Sequence, residues 1–271
     1  WRSLLFAHYR FGAVDLQNPA TRLPSVVALA AGLHLDRPVQ ERLATHVAGG
    51  GGLLLLGPAP QRDLEGRACS VLLEAMGVGV GRTVRDGSRS FPSVRGRDWA
   101  DLIPETRVGW LQELEPGGAT PVLEDVHGRV CGVEARVGAG RVVLLSAELP
   151  SMPRFFAAAA SRLGVDPGLR VDSDVPGVVV TTTASPSGDR MLHVINPTGY
   201  SATVTVREHG EPFGGGPLRV PAHSGHFLPW GLTTPWGTIE ASAAEVTGVS
   251  DDGVRFGPSL LARQAGQDPT A

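Results

Sequence analysis

The sequence predicts an α/β domain over residues 1–168, an all-β sandwich over residues 169–258 and a frayed tail over residues 259–271. Three observations support this prediction. A helix, a glycine stop and a buried strand follow one another between Asp36 and Gly57, which is half of a β-α-β unit. In the second domain, short apolar or alternating runs are separated by Gly/Pro/Asn turns, and no helical period recurs before the tail. The length of 271 residues fits two domains better than one.

The α/β prediction depends on the stretch that begins at Asp36, because aspartate caps helix N-termini. Apolar side chains then recur at i, i+4 and i+8, as in an amphipathic helix. They are Val39, Leu43 and Val47. Gly49 to Gly52 end the helix, since glycine readily adopts the left-handed conformation that closes it. Leu53 to Leu56 are apolar on both faces, which is typical of a central parallel strand.

This glycine run is not predicted to hold a phosphate group. Phosphate-binding loops run from strand to glycine loop to helix, so that a helix N-terminus faces the anion. Here the glycines lie between the end of a helix and a strand. The glycines from Gly77 to Gly81 likewise follow a predicted helix and miss the G-x-G-x-x-G spacing. We therefore expect both runs to be structural.

The remaining pattern supplies the other elements of the two domains. The first domain has predicted strands at residues 11–16, 26–31 and 141–147, helices at residues 68–76 and 151–163, hairpin strands within residues 108–137, and an extended surface excursion at residues 78–107. The second has predicted β runs at residues 177–183, 191–195, 202–207, 219–220, 226–228, 239–241 and 254–256. Asp251, Asp252 and Gly253 predict a hairpin turn before the last run.

Composition excludes several classes of function. The formal net charge of −3 gives no reason to expect binding to nucleic acid or to an anionic membrane. The apolar runs are too short to span a bilayer and no signal peptide pattern is present, so we expect a cytoplasmic protein. The two cysteines, Cys69 and Cys131, form no C-x-x-C pair. They are predicted to be buried reduced thiols, and we expect neither a metal nor a cofactor.

No catalytic residue is predicted. Nucleophilic catalysis needs a Ser or Cys on a sharp strand-to-helix elbow, and neither G-x-S-x-G nor G-x-C-x-G occurs. His223 and His226 are three residues apart and suggest a metal or sugar site. In a strand, however, residues three apart face opposite sides, so surface histidines are the favoured interpretation. Four carboxylates near predicted strand ends are interpreted as ordinary charges rather than as a glycosidase pair. They are Asp15, Glu124, Asp125 and Glu148.

Trp230 and Trp236 are the candidate carbohydrate-binding residues. They flank a Gly/Thr/Pro loop in the β domain, and exposed indoles can stack on sugar rings. The alternative, which we favour, is that they pack an edge of the sandwich or a seam between domains.

Several segments, taken in their order, resemble one family. RFGAVDLQ at residues 10–17, VQERLATHVAGGGGLLLLGPAPQRDLEGRACSVLLEAMGV at residues 39–78, and GAGRVVLLSAELP with FFAAAASRLGV within residues 138–165 form the first group. They are similar to the glutamine-amidotransferase-like domain of bacterial β-galactosidase-type glycoside hydrolases, of the family 35 and 42 type. INPTG, LPWG and IEASAAEVTGV, within residues 195–249, are similar to the sandwich that follows that domain. The resemblance covers residues 10–250.

The resemblance implies a flavodoxin-like, amidotransferase-type α/β fold that lacks the Cys–His–Glu machinery of active amidotransferases. It also implies that the two catalytic glutamates of a retaining β-galactosidase lie in an upstream barrel of the same polypeptide. A homo-oligomer in which this region walls a neighbour's active site is expected as well. Because the sequence starts at Trp1 rather than at Met, we expect a piece or a processed product of a longer protein.

The leading hypothesis is a non-catalytic C-terminal region of a β-galactosidase-like enzyme, inactive alone. It would serve as scaffold, oligomerisation surface and rim of a galactoside-binding site. The alternative is a stand-alone carbohydrate-binding protein that uses the sandwich. An independent amidotransferase-like hydrolase is a third class, which the missing elbow disfavours.

Overall fold

The computed structural model describes residues 2–87 and 91–262. Its contacts divide the chain into two units. The α/β unit is Gly12–Asp166, and the β unit is Pro167–Ala271 together with Trp1–Phe11. Of the predicted tail, residues 263–271 lie outside the described residues.

The first residues of the chain lie in the β unit, although the sequence assigns them to the first domain. Helix α1 (Arg2–Phe6) lies beside the strand Val179–Ala184. His8 Nδ1 is 3.4 Å from the Val180 carbonyl oxygen, and the Arg10 guanidinium donates to Thr182 Oγ1 at 3.4 Å. Both bonds are made to that strand, which lies at an edge of its sheet.

The α/β unit contains three α-helices and nine strands among its described residues. The helices are α2 (Arg37–Ala48), α3 (Val71–Met76) and α4 (Pro153–Arg162). The strands are β1 (Val26–Ala30), β2 (Gly52–Leu56), β3 (Gly79–Arg85), β4 (Ser93–Gly96), β5 (Thr106–Arg107), β6 (Trp110–Glu115), β7 (Thr120–Asp125), β8 (Val130–Val137) and β9 (Gly140–Leu145).

Seven of these strands form one mixed sheet, in the order β1-β2-β9-β8-β7-β4-β5. β1, β2 and β9 are parallel, with Leu53 opposite both Val27 and Val142. The other four strands continue the sheet in antiparallel pairs. β3 and β6 form a separate two-stranded sheet. The unit is therefore richer in strand than the sequence pattern suggests.

A helix lies on each face of the seven-stranded sheet. The predicted α2 stripe packs on one face, where Val39, Leu43 and Val47 share a buried cluster with Leu53 and Leu55. On the opposite face, Glu134 of β8 accepts hydrogen bonds from Arg162 of α4. Since successive strand residues point to opposite faces, a strand covered on both must be apolar throughout, as β2 is.

Several predicted elements are confirmed within one to three residues at their ends. These are α2, α4, β1, β2, β9 and the β7–β8 hairpin. Gly77, with φ of 66°, ends α3 in the left-handed conformation. After α2, the positive φ belongs to Gly50 at 107° rather than to the first glycine of the run.

Other predictions are wrong. Residues 11–16 form no strand, because the chain turns there and Asp15 Oδ1 accepts the N–H groups of Gln17 and Asn18. The helix predicted from residue 68 begins only at Val71. The predicted surface excursion contains β3, β4 and β5, and Val94 is fully buried. β6 pairs with β3 and not with β7. These strands are held by pairing partners, which a local hydrophobic pattern does not reveal.

The β unit contains ten further strands among its described residues. They are β10 (Arg170–Ser173), β11 (Val179–Ala184), β12 (Arg190–Asn196), β13 (Ala202–Glu208), β14 (Glu211–Pro212), β15 (Leu218–Val220), β16 (Ser224–Thr234), β17 (Gly237–Ala241), β18 (Val246–Ser250) and β19 (Gly253–Phe256). The pattern did not predict β10, β14 or β18. The turn of residues 251–252 does join β18 to β19, as predicted.

Two sheets of the β unit share one core. One sheet has the order β10-β13-β14, with β15 also paired to β13, and the other has the order β11-β12-β16-β17. Val204 and Val206 of the first sheet and Leu192, Val194 and Leu228 of the second lie in a single buried cluster. This is the arrangement of a sandwich.

Candidate functional site

The carboxyl ends of β1, β2 and β9 meet at one edge of the sheet in the α/β unit. Ligands of open α/β sheets usually bind in the crevice outside this edge. The residues that follow the strands here are Ala31, Gly57 and Ser146. Functional side chains of such a sheet are therefore expected at this edge.

The edge is closed by the unit's own backbone and by two buried polar side chains. Ser146 Oγ lies 3.0 Å from the Gly57 carbonyl oxygen and 3.1 Å from Gln112 Oε1. Gln112, which is 4% exposed, also accepts the Ala59 N–H at 2.8 Å. The backbone N–H of Gln112 donates to the Ser146 carbonyl oxygen at 2.7 Å. The preceding residue, Leu111, forms a β-bridge with Ala147. β6 thus lies at this edge and pairs with residues 146–148, which directly follow β9.

This geometry leaves Ser146 without the features of a nucleophile. Its side chain is fully buried, and its hydroxyl faces a carbonyl and an amide oxygen instead of a base. Neither cysteine is an accessible nucleophile, since both side chains are buried. Burial, together with the nearby Asp125 charge, raises the pKa of the Cys131 thiol. A thiol that stays protonated is inert.

Two of the four candidate carboxylates are neighbours on β7 and are bound by arginines. Glu124 accepts from Arg95 at 2.6 Å and from Arg97 at 2.8 Å. Asp125 accepts from the Arg129 side chain at 2.7 Å. Burial acts to raise the pKa of Asp125, but the hydrogen bonds from Arg129 outweigh it and the pKa is lowered. A general acid needs the opposite shift. The remaining two, Asp15 and Glu148, are exposed.

Glu134 was not singled out by the sequence, yet it is the centre of a polar cluster. Its side chain is 10% exposed and accepts from Arg162 at 2.8 Å and from Trp99 Nε1 at 2.8 Å, with Arg141 as a third partner. The Trp99 ring stacks on Phe155 at 5.7 Å. Arg162, Arg141 and Trp99 all donate to this one carboxylate, so the cluster joins α4 to the sheet. It does not leave the carboxylate without a partner.

A charged cavity of about 480 Å³ lies at the start of α2. Its lining residues are Asp36, Arg37, Pro38, Asp63, Glu65, Arg67 and Ala68. Arg67 already pairs with Asp63 and with Glu65, each at 2.8 Å. Among the described residues, no group of three His, Cys, Asp or Glu side chains is placed to hold a metal ion. Two of the three carboxylates that line the cavity are therefore already paired within it.

The two candidate tryptophans have different surroundings in the β unit. The Trp230 ring is partly buried against the core, with the Arg190 guanidinium 4.2 Å above it and Phe213 at 5.0 Å. Trp236 lies in the β16–β17 turn and is 59% exposed. Its Nε1 donates to the Ser250 carbonyl at 3.1 Å. Of the pair, Trp236 has the indole that a ligand can reach.

The two candidate histidines do not form a joint site. His223 is exposed in a turn, with its backbone N–H donated to the Thr198 carbonyl at 3.1 Å. His226 is partly buried, and its Nδ1 is 3.5 Å from Glu245 Oε2. Glu245 Oε1 also accepts the Phe227 N–H at 2.9 Å, so this carboxylate ties a loop to β16.

A family described as the GLMA-like second domain matches residues 1–101, which is less than half of the chain. No protein of curated function matches the sequence. None of the helices in the described part of the chain combines the length and the apolar character needed to cross a bilayer.

Three solved β-galactosidase structures have a similar fold. The enzyme from Bacillus circulans sp. alkalophilus gives a TM-score of 0.62 at 18% identity, over 75% of this chain and 32% of its own. Gan42B, a GH42 β-galactosidase, gives 0.61 at 18% identity, over 75% and 31%; its organism is G. stearothermophilus. The enzyme from Rahnella sp. R3 gives 0.71 at 15% identity, over 84% and 35%. The chain thus has the fold of a region that spans about a third of these enzymes.

Proposed function

We propose that this chain is a non-catalytic accessory region of a β-galactosidase-type glycoside hydrolase. The fold shared with β-galactosidases and the match to a family described as a second domain support this proposal. In this proposal the α/β unit is a reduced, flavodoxin-like member of the amidotransferase-type folds. The catalytic barrel with its two glutamates would precede it in the same polypeptide.

The observation that carries the proposal is the closed carboxyl edge of the α/β unit. An amidotransferase-like enzyme needs an accessible nucleophile at that edge, and here Gln112 and Ser146 fill it with satisfied hydrogen bonds. An α/β unit closed in this way can still act as a scaffold and an oligomerisation surface. We therefore also propose a homo-oligomer in which this region contributes a rim to a galactoside-binding cleft, in the cytoplasm.

The proposal is tested with the chain as it stands. We expect no hydrolysis of a chromogenic β-galactoside and no glutaminase activity. Galactoside hydrolysis that persists after the chain is repurified would overturn the accessory role. Glutaminase activity would show that the carboxyl edge does hold an accessible nucleophile. Light scattering on a sizing column tests the homo-oligomer separately, and a monomer at all concentrations would contradict it.

The second candidate is a stand-alone carbohydrate-binding protein that uses the β unit, and the exposed indole of Trp236 favours it. The two candidates differ in what precedes the chain in its gene. A continuous reading frame encoding strand–helix repeats with two glutamates at strand ends supports the accessory region. A start codon just upstream supports the stand-alone protein.

A further inference from the structure

Trp236 is held in a fixed orientation at the tip of the β16–β17 turn. Its backbone N–H donates to Thr234 Oγ1 at 3.2 Å, and its indole N–H donates to the Ser250 carbonyl at 3.1 Å. Thr234 Oγ1 also donates to the Gly237 carbonyl at 2.7 Å, so the turn is closed on itself. A side chain fixed in this way loses little rotamer freedom when a ligand binds.

The same indole bond brings a second turn next to Trp236. Ser250 is the last residue of β18 and pairs with Gly253, so the β18–β19 turn consists of Asp251 and Asp252. Both aspartates are exposed. The Trp236 platform, defined as Trp236, Asp251 and Asp252, therefore combines an exposed aromatic ring with two carboxylates on a neighbouring turn.

We propose that the Trp236 platform binds a neutral pyranoside of the β-galactoside class. The C–H groups on one face of a pyranose stack on an indole, and carboxylates accept hydrogen bonds from sugar hydroxyls. The axial hydroxyl of galactose leaves one ring face rich in C–H groups, which suits a flat aromatic surface. Two carboxylates disfavour uronates and other acidic sugars by charge repulsion. The choice of galactoside rests on the proposed function, whereas the stacking does not.

Trp230 does not contribute to this platform. Arg190 lies over its ring at 4.2 Å, and Phe213 contacts it edge-on at 5.0 Å. Arg190 is in turn bonded to Glu208 at 2.7 Å, which fixes the guanidinium in place. Trp230 is therefore a structural residue of the sandwich.

The test is a titration of the full chain with methyl β-galactoside and a β-galacto-oligosaccharide, followed by tryptophan fluorescence and ligand-detected NMR. Trp236→Ala is expected to weaken binding by about tenfold or more. Trp236→Phe, which keeps an aromatic face, stays within about threefold, while Trp236→Leu behaves like Trp236→Ala. Galacturonate does not bind the unmodified chain, and it begins to bind Asp251→Asn/Asp252→Asn.

Three results overturn the platform: no sugar binding by the unmodified chain, unchanged binding by Trp236→Ala, or full binding by Trp236→Leu. The last result would show apolar contact without stacking. The second result, if it comes with a changed oligomeric state, would show that the indole is a protein contact. Far-UV circular dichroism confirms that each variant is folded. A chain that neither hydrolyses nor binds galactosides overturns only this inference, whereas a chain that hydrolyses them overturns only the accessory role.

Discussion

The α/β unit buries the polar side chains at its carboxyl edge, whereas the β unit exposes an aromatic ring beside a polar turn. In the α/β unit, Gln112 and Ser146 are buried at the edge where such sheets usually bind ligands. In the β unit, Trp236 is exposed between two polar turns. The usual ligand-binding edge of such a sheet is thus closed in one unit, and the accessible aromatic surface lies in the other. Four changes test this contrast, beginning with the largest expected effect.

Gly140→Ala is expected to destabilise the α/β unit by about 4 kcal/mol. A Cβ at this position would overlap the carbonyl oxygens of Val47 and Gly51, which are backbone atoms and cannot rotate away. Denaturant unfolding measures the loss, and hydrogen exchange locates it in β2 and β9. Gly118→Ala is the control, because a Cβ there meets no atom within 4 Å. Equal stability of the two variants would show that the backbone around the amino ends of β2 and β9 can shift to admit a methyl group.

Asn196→Ala is expected to cost the β unit about 2–4 kcal/mol. Its buried amide lies within hydrogen-bond distance of the carbonyls of Tyr200, Val220 and Pro221, and its oxygen accepts from Thr198. Without the side chain, these groups lose the amide as a partner, and only the Tyr200 and Pro221 carbonyls keep a side-chain donor, from Thr198 and Ser224. Chemical denaturation provides the measurement.

The control for Asn196 is Asn18→Ala, since Asn18 is also followed by proline but is exposed. Its loss is expected to stay within about 0.5 kcal/mol. A similar cost for both variants would contradict the role assigned to the buried amide.

Glu134→Gln is expected to cost about 1–3 kcal/mol at neutral pH and less in acid. Burial acts to raise the pKa of Glu134, but the hydrogen bond from Arg162 and the charges of Arg141 and Arg162 lower it. The folded pKa is therefore below the unfolded one. The stabilisation is complete above about pH 5 and is lost as the pH falls through the lowered pKa.

Unfolding free energies of the unmodified chain and of Glu134→Gln, measured across this range, should converge at low pH. Glu41→Gln is the matched control, because Glu41 pairs with Arg37 at 3.7 Å but is 54% exposed. A difference that is independent of pH would show that packing, and not charge, gives Glu134 its effect.

The smallest effect is expected from thiol reagents. Cys69 and Cys131 are buried, so neither should react in the folded chain, and both should react in denaturant. Cys131→Ser leaves Cys69 as the only reporter. Rapid labelling of the folded chain would show that a thiol of the α/β unit is accessible and would contradict its burial.

Elements with a regular spacing of apolar or turn-forming residues were predictable from the sequence. The α2 stripe, the apolar β2 strand and the Asp251–Asp252 turn all follow from spacing within a few residues. β3, β4 and β18 were missed, because their residues do not alternate clearly and partner strands hold them. The Glu134 cluster was missed for a related reason. Its partners lie 7, 28 and 35 residues away along the chain, where no local pattern reports on them.

The sequence by itself determined the helix–glycine–strand core of the α/β unit, the β-rich second half and the lack of a nucleophile elbow. These features depend on local spacing and on residue type, which the chain displays directly. Only the tertiary structure decided that β6 closes the carboxyl edge, that Arg190 covers Trp230 and that Ser250 fixes Trp236 in an exposed position. Each of these depends on contacts between residues distant in sequence, and such contacts form only when the strands pair.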